Sequence, residues 1–230
     1  MWPGACRLPG SLKAFGHATI RIMSSSLLQI LNNGLAQMPL SLSAQVAQKN
    51  IDYIRLLERW NRCFNLTAVR APADMVVKHL LDSLAVLPYV GDGLVVDVGS
   101  GAGLPGIPLA LARPRQRFVL VDTHGKKTRF MQQAKIELGL DNVEVVHSRI
   151  EAYDPEGGAD VVIARAYADT DTILRSTQHL HRRQTRILVM QGKKDTRLSR
   201  PGYRLKAVHA LTVPGLEAER HLLEIEPVSP

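Results

Sequence analysis

Over the first ninety positions, apolar residues recur three and four apart, the spacing of one face of an α-helix. Leu27, Leu28, Leu31 and Leu35 make the first such row, within residues 26–38, and Pro39 ends it. Ser43 is placed to N-cap a second helix whose inward row is Val46, Ala47, Ile51, Ile54, Leu57 and Trp60. Pro72 fits the first position of a third, with Val76, Val77, Leu80, Leu81 and Leu84 as its apolar face. The texture then changes. Gly91-Asp92-Gly93 is a turn cluster, and short apolar runs of the buried-strand type follow at 94–98, 118–121, 143–146, 160–163 and 186–190. One helix is expected to begin near Pro105, and another spans about 126–138, where Gly139 stops it. Two more strands are expected near 203–211 and 220–225, with Glu217, Glu219, Glu224 and Glu226 on an edge hairpin. Strands alternating with helices predict an α/β fold with a doubly wound sheet, whose strand-end loops gather at one edge where ligands bind.

Composition sets the scale. The 230 residues, 45% hydrophobic, suffice for one large domain with a helical appendage. No run of about 18 apolar residues occurs, so no membrane span is expected. Residues 1–22 carry Arg7, Lys13 and Arg21 and no acid; the first acid in the chain is Asp52. A basic, acid-poor N-terminus occurs in transit peptides. The stronger reading takes Met23 as the natural start and residues 1–22 as a disordered or non-native extension. Residues 23–92 are then an N-terminal helical segment, and 93–230 the ligand-binding core. Cys6 and Cys63 have no metal spacing and are too few for a disulfide framework, which favours a reducing, cytoplasmic setting. The formal net charge of +8 favours a polyanionic partner, RNA or DNA first.

Two motifs overlap after the first strand. Gly101-Ala-Gly103-Leu-Pro-Gly106 matches the dinucleotide fingerprint, and Asp122 follows Gly101 at the distance of a ribose-binding acid. Asp97-x-Gly99-x-Gly101-x-Gly103 is instead the acid-plus-alternating-glycine loop of S-adenosylmethionine-dependent methyltransferases. Glycines there allow positive φ and close backbone approach. The sulfonium cofactor has no phosphate; its cationic groups suit a carboxylate such as Asp97, and its ribose suits Asp122. Gly99, Asp97 and the basic charge favour the methyltransferase over a nicotinamide oxidoreductase.

Further motifs fall in a fixed order. They are Trp60-Asn61, Asn65-Leu-Thr-Ala-Val-Arg70, His79-Leu-Leu-Asp82-Ser83, the loop from Asp97 to Pro108, Asp122 with Gly125-Lys126-Lys127, Ser148-Arg-Ile150-Glu151, and Arg165-Ala166. Together they resemble the RsmG family, also called glucose-inhibited division protein B, over about residues 27–225. The resemblance implies a Rossmann-like class I methyltransferase with a mixed seven-stranded sheet, helices on both faces and an N-terminal helical extension. It implies transfer of a methyl group from S-adenosylmethionine to N7 of guanine 527 of bacterial 16S ribosomal RNA, on free RNA or the small ribosomal subunit. Matched by motif, the cofactor contacts are Gly99, Leu104, Ile150, Glu151 and Arg165, and with them Gly101, Gly103 and Asp122. RNA contacts are Arg70, His79, Lys126 and Lys127. A monomer with no metal and no membrane association is expected. Where the family carries Lys-Gly after the fifth strand, this chain reads Gln191-Gly192, so a role of that lysine would pass to Lys193 or Lys194.

Guanine N7 offers a lone pair and has no proton to lose. Its methylation needs no general base, and no catalytic residue is assigned. The enzyme has to hold N7 in line with the methyl group, about 3–3.5 Å away. N7 is hidden in the deep groove of an RNA helix, so a loop or a splayed-out base is required. Basic residues are expected around the ligand edge in two groups, from Arg113, Arg115 and Arg117 to Lys135, and from Arg175 to Lys206. His179 and His181 lack convincing metal spacing. Alternatives are a methyltransferase of another RNA or a small molecule, an RNA-binding module with a vestigial cofactor fold, and the oxidoreductase.

Overall fold

The computed structural model describes residues 17–228, with side chains from residue 26. The basic residues Arg7 and Lys13, and Cys6, lie outside the described residues. Helix α1 spans His17–Leu35 and passes through Met23 without a break. Helix α2, Ala44–Phe64, starts where expected: the Ser43 side chain accepts the Val46 amide at 3.3 Å. It ends at Asn65, whose left-handed φ of 49° turns the chain and lets its N–H bond the Asn61 carbonyl. The third helix, α3, covers residues 72–84 with Pro72 in its first turn. It is not a regular α-helix. Its middle, Val76–Leu81, is π-helical, and Asp82–Leu84 returns to α. The wider turn redistributes the apolar row: Val76, Leu80, Leu81 and Leu84 are buried and Val77 is only partly covered.

The sheet has seven strands: β1 Val95–Val98, β2 Phe118–Asp122, β3 Val143–His147, β4 Val161–Arg165, β5 Arg186–Gln191, β6 Tyr203–Ala210 and β7 His221–Pro227. Their order is β3-β2-β1-β4-β5-β7-β6. The first five run parallel; β7 is antiparallel to both β5 and β6. Helices α4 Gly106–Ala112, α5 Gly125–Leu138 and α6 Thr170–Ser176 follow β1, β2 and β4. The α/β alternation is the one the strand pattern predicts, and the mixed seven-stranded sheet is the one the family resemblance implies.

Alternation along the strands feeds two cores. Val95, Leu120, Ile163 and Leu188 face one side and join the buried residues of α1, α2, α3, α4 and α5 in one cluster. Val96, Val98, Val119, Val121, Val162 and Val189 face the other and pack on Ile173 and Leu174 of α6. Burial on both faces is why these strands read as unbroken apolar runs. The N-terminal helices therefore share one core with the sheet.

The strand assignments correct one expectation. Arg113, Arg115 and Arg117 precede β2, and Arg182, Arg183 and Arg186 precede or open β5. A parallel strand's leading end lies opposite its ligand edge, so these arginines stand at the far end of the sheet. Lys193, Lys194, Arg197 and Arg200 follow β5 and do belong to the ligand edge. The acids also divide. Glu224 is buried in the hairpin, where it accepts from Arg186, Lys206 and His209.

Candidate functional site

The glycine loop is pinned from below. Asp97 Oδ2 accepts the Gly106 amide at 2.9 Å, and the Asp97 carbonyl accepts the Ser100 hydroxyl at 2.8 Å. The buried Tyr53 hydroxyl, from α2, donates to the Ala102 carbonyl at 2.7 Å. The Gly99 and Ser100 amides both bond the Val121 carbonyl. Gly99, Gly101 and Gly103 have φ of 64°, 61° and 83°, the left-handed region that a side chain disfavours. Asp97 itself is fully buried under the loop and is not part of the cleft wall. Its Oδ1 has no hydrogen-bond partner in the structure.

Burial raises the Asp97 carboxyl to about 7, against the lowering effects of the Gly106 amide, the Arg165 charge and the Ser100 hydroxyl. An aspartate that ionises near 3.8 unfolded and near 7 folded keeps its proton in the native state across that interval. The stability it contributes is complete below about pH 4 and is lost as pH rises through 7. The stability of the native chain relative to Asp97→Asn should therefore fall from about pH 4 to about pH 7 and level off above that. Urea titrations of both proteins across this range test it; a pH-independent difference would exclude the raised carboxyl.

Above the loop is a cleft of about 220 Å³. Its walls are Val98 and Gly99 from the end of β1, Val121 and Asp122 from β2, Ile150, and Ala166 and Tyr167 after β4. Thr123, His124, Lys127 and Ser148 complete it. Asp122 Oδ2 accepts the Gly101 amide at 2.9 Å, and Oδ1 accepts the His124 amide at 2.8 Å. His124 Nδ1 also meets Oδ1 at 2.9 Å, so the carboxylate is fixed at the strand tip with acceptor capacity left on Oδ2. Of the expected cofactor residues, Gly99, Asp122 and Ile150 line the cleft. Gly101 and Gly103 form the loop, and Leu104 is packed into the core behind it. Glu151 is exposed beside the wall, in the short turn Ile150–Ala152.

Arg165 takes another course. Its guanidinium donates to Asp82 Oδ2 at 3.0 Å and to the Lys78 carbonyl at 3.3 Å. Arg220, entering β7, donates to Asp82 Oδ1 at 2.8 Å. One buried carboxylate on α3 thus holds the end of β4 and the start of β7. The RNA set also divides. His79 is buried at the π-turn and shares a 2.9 Å hydrogen bond with Thr67. Burial, then the Arg165 charge, pulls its pKa down to about 4, so it is neutral at pH 7. Arg70 bonds Asn61 and Asn65 at the end of α2. Lys126 is exposed at the start of α5, and Lys127 reaches the cleft, 3.9 Å from Asp122.

Gln191 has a definite place. It donates to Thr170 Oγ1 at 3.2 Å and accepts the Asp195 amide at 3.0 Å. With the Ser199 amide on Asp171 at 3.2 Å, this ties the basic loop 192–202 along α6. The sequence reading missed Thr123, His124, Ser148, Ala166 and Tyr167 in the cleft and Tyr53 beneath it. Thr123 and His124 could have been inferred from their position after a strand-end acid. Tyr53 could not: its partner is 49 residues away. Among the described residues no cluster of three His, Cys, Asp or Glu is placed to hold a metal, and no helix is long and apolar enough to cross a membrane.

Comparison with known proteins follows the same line. A model of the family described as rRNA small subunit methyltransferase G matches residues 46–223. The chain is 44% identical over 198 residues to a ribosomal RNA small subunit methyltransferase G of Pseudomonas syringae pv. syringae, covering 85% of this chain and 92% of that one. It is 48% identical over 185 residues to a protein of that name from Hydrogenovibrio crunogenus, covering 79% and 86%. Among solved structures, a SAM dependent methyltransferase from Aquifex aeolicus aligns with TM-score 0.53 at 17% identity, covering 76% of this chain and 98% of that one. A mitomycin 7-O-methyltransferase aligns with TM-score 0.54 at 18% identity, covering 68% and 56%. These structural likenesses concern the fold.

Proposed function

We propose, from the premise that the chain belongs to the rRNA small subunit methyltransferase G family, that it methylates N7 of guanine 527 of 16S ribosomal RNA. The methyl donor is S-adenosylmethionine. The observation that carries the reading is the gathering of Gly99, Asp122 and Ile150 at one strand-end cleft, inside a chain matched by that family over residues 46–223.

The residues fit the cofactor. An ideal Cβ on Gly99 would lie 2.2 Å from Tyr167, so this wall of the cleft exists only because position 99 is glycine. Asp122 Oδ2 has acceptor capacity for a ribose hydroxyl beyond its Gly101 amide bond, while Oδ1 is taken by the His124 amide and ring. Ile150 gives an apolar contact for an adenine ring, while the Val98 and Val121 side chains are buried in the core beneath the cleft. When bound, the cofactor supplies an electrophilic methyl group on a sulfonium. The chain's residues then have three tasks: to orient that group through the loop backbone, to exclude water with Ile150, and to present the base. No group needs to take a proton from N7. This agrees with a cleft whose only carboxylate, Asp122, is engaged by two backbone amides.

We place the catalytic core in residues 93–230, with the helices of 23–92 packed on it. The ligand edge carries Lys126, Lys127 and the lysines and arginines of loop 192–202, suited to RNA phosphates. We propose that the protein works in the cytoplasm as a monomer. Labelled methyl transfer into undermethylated 16S RNA or small subunits, mapped by mass, is the direct test. No incorporation, or incorporation at another base, would count against the assignment.

The lysines give a separate prediction. Lys126→Ala with Lys127→Ala should weaken RNA binding at low salt and reduce the slope of log K against log salt by about one for each phosphate that the two lysines neutralise. Affinity for S-adenosylhomocysteine should change less than about threefold in Lys126→Ala alone, since Lys126 is exposed and outside the cleft wall, whereas Lys127 reaches within 3.9 Å of Asp122. An unchanged salt slope would remove both lysines from the RNA interface.

A further inference from the structure

Tyr167 is 38% exposed, and among the described residues it is the only Phe, Trp or Tyr whose side chain is left open in this way. Its hydroxyl makes no hydrogen bond there. A single exposed tyrosine is ordinary on a protein surface; what singles this one out is that its ring lies in the wall of the cleft.

The backbone holds it there. Ala166, between Arg165 at the end of β4 and Tyr167, has a φ of 51°. For a residue with a Cβ this conformation is uncommon and strained, and it persists where its surroundings impose it. They do so from both sides. Arg165 is held by Asp82 and the Lys78 carbonyl, and Asp169 N-caps α6 by accepting the Thr172 amide at 2.9 Å. The short link between these anchors has to turn sharply, and the turn lays the ring against the glycine loop. The built Cβ of Gly99 falls 2.2 Å from Tyr167 Cδ2 and 3.0 Å from Cγ. The ring thus shares the cleft with Gly99, Asp122 and Ile150 while part of it stays open to solvent.

Resting on the methyltransferase reading above, we propose that Tyr167 is the platform on which the acceptor guanine stacks after leaving its RNA helix. The acceptor base has to enter beside the glycine loop, and Tyr167 is the aromatic face the structure offers there. Unstacking a base from RNA forfeits its stacking energy, and an aromatic side chain replaces it without reading sequence. A π face also suits a base that gains positive charge as N7 is methylated. For a stacking platform the ring, and not its polar tip, is what matters.

The test compares Tyr167→Phe and Tyr167→Leu with the native chain. Three quantities are measured: affinity for S-adenosylhomocysteine, affinity for undermethylated small subunits in its presence, and kcat/KM for methyl transfer to them. Tyr167→Phe should match the native chain within about twofold in all three. Tyr167→Leu should lower kcat/KM about 10- to 100-fold and weaken subunit binding severalfold, the size expected for the stacking of one base on an aromatic ring. Because the ring also borders the cofactor cleft, S-adenosylhomocysteine affinity should fall several-fold less than turnover does, and circular dichroism shows that the variant is folded. Native-like subunit binding and turnover in Tyr167→Leu would overturn the proposal. So would a loss of S-adenosylhomocysteine affinity as large as the loss of turnover, because the ring would then serve the cofactor. A native protein that binds S-adenosylhomocysteine but transfers no methyl group to RNA would instead overturn the reading on which the proposal rests.

Discussion

Gly99→Arg should abolish binding of S-adenosylhomocysteine, with an affinity loss of more than about 100-fold, while the protein stays folded. Two effects combine. The φ of 64° at Gly99 disfavours any Cβ, at about 1 kcal/mol or more. The Cβ itself would also meet the fixed part of the Tyr167 ring, at 2.2 Å from Cδ2 and 3.0 Å from Cγ. An arginine there has to displace the ring, and the rest of its side chain then occupies the cofactor space. Gly99→Ala keeps the φ penalty and the Cβ contact without filling the cleft, and should weaken binding less. Gly101→Ala is a sharper comparison. Its built Cβ meets only the Gly99 carbonyl, at 3.9 Å, so only the penalty for its positive φ remains. Calorimetry orders the three, and circular dichroism confirms folding. Binding by Gly99→Arg within threefold of native would show that this loop is not the cofactor cradle.

The same residues show what was legible in the sequence. The glycine loop could be read because its information is local: a strand, an acid and alternating glycines lie within ten residues. Ser43, Pro72 and Gly139 could be read because caps and stops act on their own turn. Three features could not. The π-turn at Val76–Leu81 leaves the apolar spacing nearly helical, so periodicity alone reports an ordinary helix. The position of Tyr167 depends on a left-handed Ala166, for which no sequence preference exists. The destination of Arg165 depends on Asp82, 83 residues earlier, and on Arg220, 55 residues later by number. The arginines ahead of β2 and β5 were a different matter. Their side of the sheet followed from chain direction, but counting charges without asking which end of a strand they flank put them at the wrong edge.

Asp82→Ala should be the most destabilising single change at this junction, lowering stability by about 3 kcal/mol and the melting temperature by roughly 6–12 °C for a chain of this size. The Asp82 side chain is 4% exposed and accepts from two guanidiniums that are themselves only 20% and 24% exposed. Removing it leaves two partly buried like charges facing each other across a small cavity, joining the end of β4 to the start of β7. Because both arginines keep some contact with water, the loss should fall at the lower end of what breaking a buried ion pair costs. The pairing also predicts strong non-additivity. If Arg165 acts chiefly through Asp82, then Arg165→Ala combined with Asp82→Ala should cost little more than Asp82→Ala alone, a coupling of about 1–3 kcal/mol in a double-mutant cycle. The cycle also decides what Arg165 does for the cofactor. A drop in S-adenosylhomocysteine affinity in Arg165→Ala that recurs in Asp82→Ala would mean that the arginine acts by holding the β4 end, and with it the cleft wall at Ala166, in place. A drop in Arg165→Ala alone would mean that the guanidinium itself reaches the cofactor. Additive losses in stability would show that Asp82 and Arg165 serve separate parts of the fold, and would remove the carboxylate as the tie between α3 and the ligand edge.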